Sequence, residues 1–123
     1  MKLLKTKLDG AFIIDLKKSE DERGFFSNVW NKKNFQENNL NADITELNIA
    51  FNKKKGSIRG LHYQSAPYEG AKLIRCTRGS IWDVVLDLRS NSKTFKEWYG
   101  VTMGFIALKL SGGLTFADEQ NKI

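Results

Sequence analysis

One histidine and a nearby arginine are the residues of this sequence best suited to acid–base chemistry on an anion. His62 is the only histidine in the chain and lies in the stretch SIRGLHYQ at 57–64, three residues after Arg59. Histidine titrates near neutral pH, which makes it the usual general base. Residues three apart in a regular strand face opposite sides, so the two side chains share a face only if a β-bulge intervenes. Gly60 is the candidate for that bulge.

The following segment, AKLIRCTRG at 71–79, adds Lys72 and Arg75. A base, a lysine and arginines together suit an anionic substrate that passes through an enolate. The base removes a proton beside a carbonyl, the lysine stabilises the oxyanion, and the arginines hold phosphate. The alternative is structural, with His62 as a hydrogen-bonded residue inside a barrel. The residue types alone leave both readings open.

Other chemistries find less support in the sequence. One histidine and one cysteine cannot supply the several ligands of a zinc, iron or manganese site. Cys76 lies between Arg75 and Arg78, which would favour a reactive thiolate, but a small buried strand residue is the favoured interpretation. The sequence has neither a GxGxxG nor a Walker motif. The lysine clusters at 31–33 and 52–55 suit nucleic acid, but solvated turns are the commoner reading, so we expect no nucleic-acid partner.

Composition indicates one globular domain. The chain has 123 residues, 41% hydrophobic and 28% charged, with a formal net charge of +6 that favours an anionic partner. A single cysteine excludes an internal disulfide framework and fits a reducing, cytoplasmic setting. Residues 1–16 lack the continuous apolar region of a secretory signal, and no run approaches the roughly 18 apolar residues of a membrane span. We therefore expect a cytoplasmic protein with no membrane partner.

Short strands separated by Gly, Asn and Lys turns predict an all-β barrel or sandwich. We expect a helical turn at 35–40 and, at 111–123, a Gly-punctuated and then polar tail whose end is loose. The expected strands are 10–17, 44–52, 57–64, 71–79, 80–89 and 99–110.

Several segments in the right order resemble the dTDP-4-dehydrorhamnose 3,5-epimerase family. They are KTKLDGAFIIDLK (5–17), DERGFF (21–26), KKGSIRGLHYQ (54–64), AKLIRCTRGSIWDVVLDLR (71–89) and SKTFKEWYGV (92–101). The resemblance implies an all-β, double-stranded β-helix of the cupin type, a jelly roll that works without a metal or another cofactor. It also implies a homodimer in which the partner's N-terminal strands help to cover each site. The implied reaction is epimerisation of dTDP-4-keto-6-deoxyglucose at C3 and C5, on the route to dTDP-L-rhamnose.

The resemblance also implies roles for individual residues. His62 matches the family's general base, and Lys72 matches the lysine beside the ketone and the enolate oxygen. Arg59 matches a substrate-binding arginine, Arg23 matches a second arginine that engages the diphosphate, and Asn48 matches a substrate-contacting amide. These five residues are the predicted site: His62 and Lys72 catalytic, and Arg23, Asn48 and Arg59 substrate-binding.

Two positions and one segment depart from the family pattern. Glu46 replaces an amide, and Asn28 stands where many members carry a glutamate. We expect one epimerase-like domain over 1–123, in which residues 102–123 leave the pattern, so that the jelly roll is incomplete in its C-terminal half. The family's acid tyrosine and the carboxylate that partners its base would then be missing. The alternatives are a non-catalytic sugar-nucleotide-binding remnant and a related 3- or 5-epimerase on another nucleotide sugar.

Overall fold

The computed structural model describes residues 1–104, 107–110 and 114–121, with side chains for residues 1–104. These residues form ten strands and one short helix. In chain order the elements are β1 (Lys2–Lys5), β2 (Ala11–Asp15), β3 (Lys18–Asp21), β4 (Gly24–Ser27), α1 (Lys32–Glu37), β5 (Ile58–His62), β6 (Lys72–Arg75), β7 (Ser80–Asp87), β8 (Trp98–Met103), β9 (Ala107–Leu110) and β10 (Leu114–Asn121).

Eight strands form two antiparallel four-stranded sheets. The first sheet has the order β1-β2-β9-β6 and the second has the order β5-β10-β7-β8. Strands β3 and β4 pair only with each other, as a separate hairpin. Neighbours within each sheet are often distant in sequence, which is how two sheets of a sandwich share one chain. The all-β prediction is confirmed.

Alternating residues of both sheets build the core between them. On β7 the buried positions are Ile81, Asp83, Val85 and Asp87, which are separated by more exposed ones. Ala11 on β2 belongs to the same apolar cluster as Ile81 and Val85. Because β2 and β6 of the first sheet and β7 and β8 of the second all contribute residues to this cluster, the two sheets pack face to face.

The opposite face of β2 is covered by the helix. Asn31 caps α1, since its Oδ1 accepts a hydrogen bond of 3.0 Å from the backbone N–H of Asn34. Phe35 is 1% exposed and packs in one cluster with Ile14 and Leu16. The predicted helical turn is confirmed, although α1 begins at Lys32 and ends at Glu37. Within the described part of the chain, helix length and hydropathy rule out a membrane-crossing helix.

Two strand predictions need correction. Residues 41–52 lie outside every helix and strand, so the strand expected at 44–52 is absent from this chain. Alternation marks the two faces of a strand, but a strand also needs a neighbour to pair with, and none of the described strands pairs there. The strand expected at 99–110 is two strands, β8 and β9, that belong to different sheets.

The tail at 111–123, in which no strand was expected, is largely a strand. Residues Leu114–Asn121 form β10, which pairs with β7 on one side and β5 on the other. The remaining residues of that range, 111–113 and 122–123, lie outside the described residues. The local pattern missed β10 because its stability comes from two partners far away in the sequence.

Asp87 ties two surface loops to the end of β7. Its carboxylate is 0% exposed and accepts two hydrogen bonds of 2.9 Å from the Arg89 guanidinium and one of 2.8 Å from Thr94 Oγ1. Arg89 also donates to the carbonyl oxygen of Asp9, and Thr94 Oγ1 accepts from the Asp9 N–H at 3.1 Å. Burial alone would raise the pKa of Asp87, but the hydrogen bonds from Arg89 and Thr94 hold that pKa well below its usual range.

We expect Asp87→Asn to lower the free energy of unfolding at pH 7 by about 3 kcal/mol, because it removes one partner of a buried ion pair. The native pKa lies below the unfolded one of about 4, so this stabilisation is complete above about pH 5, declines as the pH falls below about 4, and is lost as the pH falls through the native pKa. The wild type should therefore lose more stability than the variant between pH 6 and pH 3. Urea unfolding across this range measures both slopes.

Asp43→Asn, at an exposed pair with Lys32, is the matched control and should change stability by less than about 1 kcal/mol. Equal slopes for wild type and Asp87→Asn would contradict the account.

Candidate active site

A β-bulge in β5 puts the predicted base on the same face as Arg59. Along β10, Phe116 lies opposite His62 and Asp118 lies opposite Arg59, so two steps on β10 match three steps on β5. Gly60 sits within this irregular stretch with a φ of 97°. That backbone conformation costs glycine little and is strained for residues with a Cβ. The bulge that a shared face requires is therefore present at the glycine expected to provide it.

The register across the sheet identifies the face that these two residues share. The β10 residues opposite His62 and Arg59 also lie opposite Val85 and Asp83 on β7. Residues directly opposite each other in a sheet point to the same side. Val85 and Asp83 are 0% exposed and point into the core. His62 and Arg59 therefore lie on the inner face of the second sheet, and both are solvent-exposed there because β5 is the edge strand.

Lys72 occupies the inner face of the first sheet. It is half-buried at the start of β6 and lies opposite the same β9 residue as Ala11. Ala11 is 1% exposed and belongs to the core between the sheets. Lys72 therefore points into the space between the sheets. The fold thus places a cation on one sheet and a histidine with an arginine on the facing sheet.

The Arg59 side chain is held by the segment that precedes β5. Its Nε donates a hydrogen bond of 2.6 Å to Asn52 Oδ1, and its Nη2 lies 3.4 Å from the carbonyl oxygen of Phe51. An open depression beside it is lined by Lys53, Lys54 and other residues of this turn. This side of the site is cationic and faces solvent.

Arg23 lies apart from these residues, at the tip of the β3–β4 hairpin. Its guanidinium is 84% exposed and forms an ion pair of 2.6 Å with Asp21. The side-chain hydrogen bond from Arg23 lowers the pKa of Asp21 below its usual value. The hairpin belongs to neither main sheet, so within one chain Arg23 is not on the inner faces that carry His62 and Lys72.

Asn48 and Glu46 lie in the irregular segment 41–52, and both are exposed. Asn28 is also exposed and lines a second depression together with Lys17 and Lys18, close to the hairpin. The predicted residues therefore fall into two sets. Arg59, His62 and Lys72 lie on the inner faces of the main sheets, whereas Asn48 lies outside those sheets.

Two buried polar residues, Asp83 and Asn52, lie beside the site and are not among the five predicted residues. Asp83 is 0% exposed, and alternation along β7 was the signal that pointed it inward. Asn52 is 7% exposed, and its position between an apolar residue and a lysine turn gave no signal of burial. Both side chains are polar groups that the fold keeps in the interior next to the candidate site.

Known proteins resemble this chain over most of its sequence. A sequence model of the dTDP-4-dehydrorhamnose 3,5-epimerase family matches residues 5–107. The dTDP-4-dehydrorhamnose 3,5-epimerase of Methanothermobacter thermautotrophicus is 44% identical over 102 residues, which are 83% of this chain and 54% of that protein. The chain therefore spans about half the length of the curated relatives it matches.

Solved structures match the fold over nearly the whole chain. The dTDP-4-dehydrorhamnose 3,5-epimerase from Elizabethkingia anophelis superposes with a TM-score of 0.93 at 36% identity, covering 99% of this chain and 68% of that one. The Bacillus anthracis enzyme, solved with TDP and PPi bound, also has a TM-score of 0.93, at 31% identity over 98% of this chain and 71% of its own. The predicted cupin-type jelly roll is confirmed. The chain belongs to the dTDP-4-dehydrorhamnose 3,5-epimerase family.

Proposed function

We propose that this chain is an isomerase that acts on dTDP-4-keto-6-deoxyglucose, with His62 as the base for C3 and C5. The observation that carries the proposal is the bulge at Gly60, which sets His62 beside Arg59 on an inner face. Lys72 lies on the inner face of the other sheet. A base, an anion-binding arginine and a lysine are the groups that an enolate intermediate of a nucleotide sugar needs.

In this proposal the His62 imidazole accepts a proton from a carbon next to the C4 ketone. The electron pair of the broken C–H bond forms a C=C bond, and the ketone oxygen becomes an enolate oxygen. The Lys72 ammonium stabilises that negative charge, while Arg59 holds the diphosphate. Return of a proton to the opposite face of the same carbon inverts the centre. Arg23 and Asn48 are proposed as further substrate contacts.

Tyr99 is not the donor for that opposite face. It lies opposite Val85, in the row that also contains His62, and it packs against the core between the sheets. Three strand spacings separate it from His62, which is about 14 Å. The proton donor must reach the sugar carbon that His62 deprotonates, and a tyrosine three strands away that packs against the core is poorly placed to reach it. Exchange of the substrate proton with solvent is the readout that requires the base His62 but no proton donor on the opposite face.

A non-catalytic sugar-nucleotide-binding protein is the second candidate. The observation that favours it is the cationic surface around Arg59, which binds anions without any acid or base. A related epimerase that acts at one carbon is the other alternative, favoured by the polar changes at Glu46 and Asn28.

The experiment is incubation of the chain with dTDP-4-keto-6-deoxyglucose in deuterium oxide, followed by proton NMR of the sugar. The proposal expects deuterium at both C3 and C5. Label at one carbon would assign a single-carbon epimerase. Binding of dTDP, measured by calorimetry, without any label would assign the binding protein and overturn the enzymatic proposal.

We further propose that a second copy of the chain covers the exposed apolar residues of 41–52. Leu47 is 89% exposed and Ile49 is 91% exposed. Large apolar side chains exposed together in one segment are typical of a surface that contacts another protein. An unpaired segment with alternating apolar residues is suited to adding to another chain's sheet.

The double variant Leu47→Asp, Ile49→Asp should shift a dimer to a monomer in sedimentation velocity. Tyr68→Asp, at a loop residue that is 75% exposed, is the control and should leave the dimer intact. The proposal would be contradicted if the wild type were a monomer over the whole range from its highest soluble concentration to a 100-fold dilution.

A cytoplasmic location completes the proposal. Cys76 is a free, buried cysteine, and thiols persist in a reducing compartment.

A further inference from the structure

Asn52 is a buried amide at the point where the chain enters the candidate site. It is 7% exposed and separates the irregular segment 41–52 from the exposed lysine turn at 53–56. Burying an amide costs free energy unless its polar atoms find partners. The Oδ1 atom of Asn52 has such a partner in Arg59 Nε, at 2.6 Å. The contact joins residues seven positions apart, one inside the protein and one at its surface.

The contact fixes how the guanidinium of Arg59 is turned. A guanidinium carries five N–H donors in one plane, in a rigid fork. Its Nε side is occupied by Asn52, and Nη2 lies near the Phe51 carbonyl oxygen. The edge formed by Nη1 and the outer side of Nη2 remains directed away from Asn52. That edge can bind two anionic oxygens at once, as can the Nε–Nη2 edge, which Asn52 and the Phe51 carbonyl occupy.

The surroundings match an anionic occupant. The depression next to Arg59 has a volume of about 410 Å³ and is lined by Lys53, Lys54 and Ser57 as well as by Asn52 and Arg59. No carboxylate lines this depression within the described residues. A neutral amide holds Arg59 without cancelling its charge, whereas a carboxylate at position 52 would form an ion pair with it.

We propose that Asn52 is a positioning residue for Arg59, which it orients so that the Nη edge meets the diphosphate of the nucleotide sugar. The inference rests on the proposed function, because it takes the diphosphate as the ligand of Arg59. Asn52 itself touches no substrate in this account. Its effect is confined to binding, and the proton transfer at His62 does not depend on it once the substrate is bound.

The test measures dTDP affinity by calorimetry for wild type, Asn52→Ala and Asn52→Asp. We expect the dissociation constant to rise about fivefold for Asn52→Ala and at least tenfold for Asn52→Asp, which pairs with Arg59 and removes its charge from the ligand. Deuterium incorporation at saturating substrate should stay within about twofold of wild type, so that KM changes and kcat does not. Asn39→Asp, the same change at an exposed residue, is the control and should leave affinity unchanged.

A double-mutant cycle separates positioning from other effects. In an Arg59→Ala background, Asn52→Ala should cause no further loss of dTDP affinity, since the side chain that it positions is gone. Thermal unfolding of each variant checks that the fold is retained. A further loss in that background, or unchanged affinity for Asn52→Asp, would overturn the inference while leaving the proposed function intact. A wild type that binds no dTDP would overturn both.

Discussion

Replacing Gly60 with alanine is expected to raise the dissociation constant for dTDP and to slow deuterium incorporation into the sugar, each by at least about tenfold. Gly60 has a φ of 97°, and a residue with a Cβ is strained there by about 1–3 kcal/mol. The strain is relieved if the extra residue of the bulge is lost from β5. Arg59 and His62 would then be three apart in a regular strand and would face opposite sides.

Gly79→Ala is the matched control for Gly60→Ala. Gly79 also has a positive φ, of 77°, and an added Cβ at that position meets no atom within 4 Å. Both variants should therefore lose similar thermal stability, but Gly79→Ala should keep the wild-type dTDP affinity and exchange rate. Calorimetry and NMR on the two variants make the comparison. Equal, small losses of function in both would show that the bulge does not organise the site.

The bulge is also the clearest case of sequence reasoning that the fold confirms. The spacing of Arg59 and His62 posed a geometric question, and the glycine between them was the residue able to answer it. Burial along β7 follows the same kind of local rule, since exposed and buried residues alternate and Asp83 and Val85 lie on the buried side. Local geometry decides both features, so a single sequence is sufficient to predict them.

Strand pairing between segments that are distant in the chain could not be predicted from the local sequence. The alternation in 44–52 predicted a strand, but no strand of the described residues pairs with it. No strand was expected at 114–121, and these residues form a strand between β5 and β7. A strand exists only where a partner offers its backbone, and the partner's identity is a property of the whole fold.

The site roles came from the family resemblance and not from periodicity. Alternation along the strand indicates on which side of it the Lys72 side chain lies. It does not indicate which sheet will pack against that side. Arg23 and Asn48 show the limit most plainly, because the fold of one chain leaves them outside the two main sheets. Their proposed substrate contacts depend on a second copy or on bound ligand, neither of which is encoded in a local pattern.

The variant His62→Asn is expected to lower the rate of deuterium incorporation about 10²- to 10⁴-fold, the usual contribution of a general base. Asparagine keeps a polar side chain of similar length, but it cannot accept and hold the proton. His62 lies on the inner face with Arg59 and is solvent-exposed, so the substitution creates no buried cavity. The dTDP affinity should stay within about threefold of wild type, because Arg59, which holds the diphosphate, and Asn52, which orients Arg59, are both unchanged.

The most direct test of the central claim is the NMR exchange rate at C3 and C5 of dTDP-4-keto-6-deoxyglucose in deuterium oxide, with wild type and His62→Asn both saturated by substrate. If His62 is the base that the bulge places in the site, the wild type labels both carbons and His62→Asn labels both about 10²- to 10⁴-fold more slowly. Equal labelling by the two proteins, with equal dTDP affinity, would contradict the account and assign the proton transfer to another residue.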